Sequence, residues 1–194
     1  MSGLRERKKQ ATRAALSEAA LRLAVERGPD NVRVDDIAEA AGVSPRTYNN
    51  YFPSREDAIV FAVTAEREER VAAAVRAASA PLADAVLDAV VTEYTAPARD
   101  TLLLITTSPA LRSAYARTAT ALEPPLAAAL TPRIPDPTTA RVLAAAVAAA
   151  VRVTLEHWAQ PTGSAGFVVV SGSLPDLLRS ALAPLKPALA AAAA

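Results

Sequence analysis

The sequence has no cysteine, which excludes a disulfide framework, a thiolate nucleophile and thiolate metal ligation. It has one histidine, His157, too few for a histidine-based metal site. Six glycines in 194 residues form no phosphate-cradling run, and neither a nucleophile elbow nor a paired-carboxylate motif is present. No metal and no cofactor is expected. The N-terminus carries charge where a signal peptide needs an apolar core. The longest strongly apolar run, Val142 to Val151, lies between Arg141 and Arg152 and is too short to span a bilayer. A cytoplasmic protein without a membrane segment follows as the expectation. What is present is alanine and leucine, with 52% hydrophobic residues and few β-branched runs, a composition that predicts an all-α fold with ample core.

The net charge is only +1, so bulk charge does not point to nucleic acid. Its distribution is more informative. Five cations (Arg5, Arg7, Lys8, Lys9, Arg13) and one acid (Glu6) lie between Met1 and Arg13, a net +4. Such an arm can lie along phosphates or reach into a minor groove.

The stretch from Arg33 to Arg55 reads as two short helices meeting at a sharp corner. Val34, Ile37, Ala38 and Ala41 recur at helical spacing and give the first helix an apolar stripe. Gly42 then ends it in the left-handed conformation, with Val43 plugging the corner. Ser44 caps the next helix, and Pro45 has the fixed φ and missing donor that suit its first position. Tyr48 and Phe52, four apart, face inward, which leaves Arg46, Thr47, Asn49, Asn50 and Tyr51 outward. This is a helix-turn-helix layout, whose second helix enters a DNA major groove.

The string DDIAEAAGVSPRTYNNYFPSREDAI, with the long helix before it, resembles the DNA-binding signature of the TetR family of bacterial transcriptional regulators. The resemblance implies an N-terminal three-helix DNA-binding head, residues 1–69, with its motif at 33–52. A long fourth helix would link it to a C-terminal helical ligand-sensing and dimerisation domain, residues 70–194. It also implies a homodimer on a double-stranded operator, a small-molecule effector that shifts the spacing of the heads, and a phosphate contact at Arg55. A two-fold dimer calls for a palindromic site. Arg46 suits guanine O6 and N7, and Asn49 or Asn50 suits adenine N6 and N7. Thr47 suits a thymine methyl or a phosphate, and Tyr51 suits a phosphate. Arg33, Ser44, Pro45, Arg5, Lys8 and Lys9 complete the expected DNA face. Two positions depart from the family pattern: Arg33 stands where a capping threonine is usual, and Asn49 where an aromatic is common.

Beyond the motif, the fourth helix is expected from Ser54 to about Ala78, with its middle, EREER, charged nearly all round as a linking helix can be. Four consecutive aliphatics, Leu102 to Ile105, suggest a segment buried on every side. Pro124 and Pro125 should break a helix near Glu123. The helix from Pro137 to about Ala159 carries two apolar stripes. Leu143, Val147, Val151, Leu155 and Trp158 suit its own core, while Val142, Ala146, Ala149 and Val153 suit a second subunit. Leu178 and Leu182 of the last helix are expected to join that interface, as a four-helix bundle in this family implies. Periodicity leaves Phe167 to Ser171 undecided between strand and helix.

Polar groups on otherwise apolar helices are the pocket candidates: Tyr94, Thr106, Thr107, Tyr115, Thr118, Thr154 and Trp158. Each also suits plain packing or a bond to its own helix. Their surroundings suggest an apolar or weakly polar ligand. Two other readings compete: a DNA-binding factor that needs no ligand, and an all-α enzyme using His157 with Glu156, Ser173 or Asp176. From the outward face, Arg46→Ala should cost about 1–3 kcal/mol of specific binding; an unchanged affinity and site preference in a DNA titration would remove Arg46 from the reading set.

Overall fold

The computed structural model describes residues 2–97, 99–158 and 172–193. Every regular element among them is helical, as the composition predicts. The undecided segment Phe167 to Ser171 lies outside the described residues. The chain forms two compact units, Met1–Ala65 with Leu103–Ala114, and Glu66–Leu102 with Tyr115–Ala194. The chain therefore crosses between units ahead of the expected 69/70 division, and 103–114 group with the head.

In the first unit, helix α1 (Ser2–Arg27) buries Leu16, Ala19, Ala20, Leu23 and Ala24, which recur at helical spacing. It packs on α2 (Val34–Ala40) and α4 (Arg55–Thr64), and α2 packs on α3 (Pro45–Asn49). The corner between α2 and α3 is made by Gly42 at φ 68°. The Gly42 N–H donates to Glu39 O at 3.0 Å and the Val43 N–H to Ala38 O at 2.9 Å, which satisfies two carbonyls that the end of α2 would otherwise leave open. At the other end of α2, Arg33 makes no side-chain cap. Asp36 takes over instead, accepting from the Arg33 N–H at 3.1 Å and lying 3.8 Å from the Arg27 guanidinium.

The fourth helix is not continuous to Ala78. It ends at Thr64, and Glu66 takes a left-handed φ of 58° before α5 (Arg67–Ala77) begins. A non-glycine residue there costs about 1–2 kcal/mol, so the surrounding packing must hold it. The charge pattern misled because EREER is not wet all round: Arg67 is fully buried.

Helix α6 (Leu82–Thr95) follows, ending ahead of Pro97. Next come α7 (Arg99–Thr106) and α8 (Pro109–Thr118). Leu102 and Ile105 of α7 are buried, but Leu103 is 39% exposed. A helix turns about 100° per residue, so consecutive aliphatics cannot share one covered face. After α8 the chain narrows to a 3-10 turn, Ala119–Leu122, and restarts as α9 (Glu123–Leu130) with prolines in its first turn. Their missing donors are no loss there.

Helix α10 (Pro137–Trp158) is long and apolar enough, by length and composition, to cross a membrane. In the structure its Leu143, Val147, Val151, Leu155 and Trp158 stripe is buried, and it packs on α9 and on α11 (Leu174–Leu182). Ser173 caps α11, accepting from the Asp176 N–H at 3.3 Å. The chain closes with α12 (Lys186–Ala192). Leu178 and Leu182 are 0% and 3% exposed. The expectation that they meet a second subunit is corrected: α11 spends its apolar face on α10 and α6 of its own chain. A Cβ added at Gly42 meets nothing within 4 Å, so Gly42→Ala should destabilise by about 1–2 kcal/mol through its backbone conformation alone. Chemical denaturation measures this, and an unchanged midpoint would show that the corner tolerates a side chain.

Candidate functional site

The outer face of α3 is positioned from within. Tyr48 is fully buried, and its hydroxyl donates to Ser54 O at 2.7 Å, tying the middle of α3 to the start of α4. Burial pushes the Tyr48 phenol up, with Asp57 and Glu56 adding to the shift, so it remains a protonated donor. The Tyr48 and Phe52 rings lie 5.9 Å apart, and Phe52 meets Phe61 edge-on at 5.6 Å. Arg13 covers this stack, its guanidinium 4.1 Å from the Phe61 centroid and 5.4 Å from that of Phe52. A residue counted by sequence with the cationic arm thus helps seat the core of the head through a cation–π contact.

Outward, Arg46, Asn49 and Asn50 are exposed and Thr47 and Tyr51 half-buried. Ser44 Oγ accepts from the Thr47 N–H at 3.2 Å and lies 2.9 Å from Thr47 Oγ1, so the cap also orients one of the outward side chains. An open cleft of about 960 Å³ runs between α1 and this face, lined by Arg5, Lys8, Lys9 and Thr12 on one side and Val43, Thr47, Asn50 and Tyr51 on the other. Asn50 lines the cleft and Asn49 does not, a distinction that residue type could not make. Arg33, Ser44, Pro45 and Arg46 lie outside the cleft lining and are exposed.

Arg55 behaves otherwise than expected. Its Nη1 donates to the backbone carbonyls of Asp30 and Val32 at 3.0 and 2.8 Å, and its Nε to Glu56 Oε1 at 2.7 Å. The guanidinium thereby helps close the turn ahead of α2, an internal role that the sequence did not suggest.

The pocket candidates do not form one group. Thr106 and Thr107 belong to the first unit and donate to Leu103 O and Leu104 O of their own helix, each at 2.7 Å. Thr154 donates to Ala150 O at 2.8 Å, and Trp158 is buried. Tyr94, Tyr115 and Thr118 of the second unit instead gather around Arg67. The Arg67 guanidinium lies 3.8 Å from the Tyr94 ring centroid and 5.3 Å from that of Tyr115. It donates to Glu68 Oε1 and to Thr118 Oγ1, both at 2.7 Å from Nη2. Burial pushes both phenols up, against the pull of the Arg67 charge beside them. Yet Arg67 Nη1 and both tyrosine hydroxyls have no partner with hydrogen-bond geometry, each at a cost of about 1–3 kcal/mol. Sequence reading passed over Arg67 as part of a charged run. A signal was available: it stands four residues before Val71 and eight before Val75, on their buried stripe. His157 is exposed, and no group of potential metal ligands occurs among the described residues.

Comparison with known proteins bears on the head most directly. Residues 16–60 match the family described as bacterial regulatory proteins, tetR family. A stretch of 71 residues is 39% identical to the HTH-type transcriptional regulator TcmR of Streptomyces glaucescens, covering 37% of this chain and 31% of that protein; the matched segment thus spans about a third of the relative's length. Two solved structures share the whole fold. RolR in complex with resorcinol has a TM-score of 0.50 at 19% identity, over 95% of each chain. Thermus thermophilus FadR in complex with lauroyl-CoA, described as a TetR-family transcriptional repressor, has a TM-score of 0.53 at 24% identity, over 90% of this chain and 93% of that one.

Because Arg55 holds two backbone carbonyls, Arg55→Ala should lower stability by about 1–3 kcal/mol in urea denaturation. A midpoint equal to the parent's, combined with weakened DNA binding, would return Arg55 to the phosphate-contacting set.

Proposed function

We propose that this chain, whose residues 16–60 match the family described as bacterial regulatory proteins, tetR family, is a cytoplasmic, dimeric, DNA-binding transcriptional repressor. A small molecule held in the second unit releases it from a palindromic operator. The observation that carries this reading is the cleft where the cationic arm and the outer side chains of α3 come together. Phosphates suit Arg5, Lys8, Lys9 and the Tyr51 hydroxyl, which set register without reading sequence. Arg46 reads guanine, Asn50 or Asn49 reads adenine, and Thr47 contacts a thymine methyl or a phosphate.

Dimerisation is supported by α10. Val142 and Val153 are 61% and 54% exposed, and Ala146 and Ala149 lie between them at helical spacing with partial or full exposure. An apolar stripe left open on a single chain is what a close two-fold helix contact uses. The effector reading takes support from relatives of this fold that hold small molecules, resorcinol in RolR and lauroyl-CoA in FadR. Release requires that the ligand bind one spacing of the two heads more tightly than the other, since equal affinity shifts nothing.

Selection of bound fragments from random DNA should return inverted repeats, and Lys8→Ala with Lys9→Ala should weaken all sequences alike, lowering the salt slope by about 1 per lost phosphate contact. If no sequence competes better than bulk DNA at moderate salt, the regulator reading falls. Ala149→Glu should yield monomers by light scattering and lose operator binding; a dimer unaffected by that charge would move the interface off α10.

A further inference from the structure

Arg67 enters the core of the second unit immediately after the chain has crossed into it at Glu66, on a helix whose inward stripe is otherwise Val71 and Val75. Its guanidinium is used along one edge. Nε and Nη2 donate to Glu68 Oε1 at 3.2 and 2.7 Å, and Nη2 donates to Thr118 Oγ1 at 2.7 Å. Glu68 alone would neutralise a cation buried only for packing. Three further groups beside that pair have no partner with hydrogen-bond geometry, although each is fully buried: Arg67 Nη1, and the Tyr94 and Tyr115 hydroxyls, which have the Arg67 guanidinium beside them. Thr118 is already engaged with this cluster, its hydroxyl accepting from Arg67 Nη2 and donating to Tyr115 O, each at 2.7 Å. Buried polar groups are normally satisfied, and three failures on side chains that touch one another ask for a common partner.

We propose that Arg67, Tyr94 and Tyr115 form the head-group site for a hydrophobic carboxylic acid, the effector whose existence rests on the regulator reading above. The donor inventory selects this class. Nη1 offers two N–H hydrogens and each phenol one O–H, while an ionised carboxylate has two oxygens with about four acceptor positions and no hydrogen of its own. An amide brings one good acceptor and two surplus hydrogens into a place already rich in donors. Glu68 already balances Arg67, so the charge of the acid rests on the donors it meets, Nη1 and the two phenols, in a low-dielectric interior where such bonds are strongest. The rest of the ligand is apolar, because α5 and α6 bury Val71, Val75, Val86 and Val90. The sequence expectation of an apolar or weakly polar effector therefore becomes an apolar body with an anionic end.

The test uses the full chain, with decanoate and benzoate as probes and decanamide and benzamide as their uncharged counterparts. The acids should raise the melting temperature by about 3 °C or more near saturation and the amides should not. Tyr94→Phe with Tyr115→Phe removes two unpartnered hydroxyls, so the ligand-free melting temperature should hold or rise while acid affinity falls about tenfold or more. Tyr115→Phe alone, a smaller change, should move acid affinity in the same direction. The proposal is overturned if acids and amides act alike, if neither acid acts, or if the tyrosine variants respond as the parent does, as they would were the cluster simply hydrated. Operator binding by the ligand-free protein is read separately. A chain that selects DNA and is released by neutral compounds alone keeps the regulator reading and loses this one; a chain that binds acids but selects no DNA does the reverse.

Discussion

A helix of five residues cannot stand by itself in water, where isolated helices shorter than about 12–15 residues are marginal even in favourable sequences. Helix α3, Pro45–Asn49, exists because its inner side is fastened. Ser44 caps its first turn, the Tyr48 hydroxyl holds the carbonyl of Ser54, and Phe52 locks against Phe61 under the Arg13 guanidinium. Tyr48 and Phe52 make their contacts from the buried side of the helix, while Ser44 and Arg13 hold it from exposed positions beside the reading face. The outward residues are consequently free to be chosen for what they touch, and a rigid seat gives their positions the precision that base-edge hydrogen bonds require.

Arginine does three different jobs in this molecule, and its chemistry explains why. The guanidinium is planar, always charged, weakly hydrated and rich in donors, so it can close a backbone turn as Arg55 does or lie on aromatic faces as Arg13 and Arg67 do. Arg46 and Arg13 are exposed, Arg55 is half-buried and Arg67 is fully buried. Counting charge along the sequence treats all four as equivalent. Packing separates them, and the Arg67 cluster places buried polar groups where the charge pattern suggested a solvated linker.

Helix α10 shows how far periodicity can be trusted. Its two apolar stripes were readable at helical spacing, and the structure buries one while leaving Val142 and Val153 open. The same reasoning failed for Leu178 and Leu182. Both belong to α11, whose buried residues Leu174, Leu178 and Leu182 face α10 and α6 of the same chain. A stripe tells that something must cover it; which neighbour does so is a matter of tertiary arrangement.

The amino-acid sequence by itself determined the helical class, the glycine corner at Gly42, the cap at Ser44, the proline at the start of α3 and the division of α3 into an inner and an outer side. All of these follow from local backbone preference and from the 3.6-residue period, which act over a few neighbours. Only the tertiary structure decided that the fourth helix breaks at Glu66, that Arg55 faces its own head, that Asn50 rather than Asn49 shares a cleft with the basic arm, and that Arg67 joins Tyr94 and Tyr115. Those outcomes depend on partners distant in the chain, and a charged side chain goes inward only where such partners repay the loss of water.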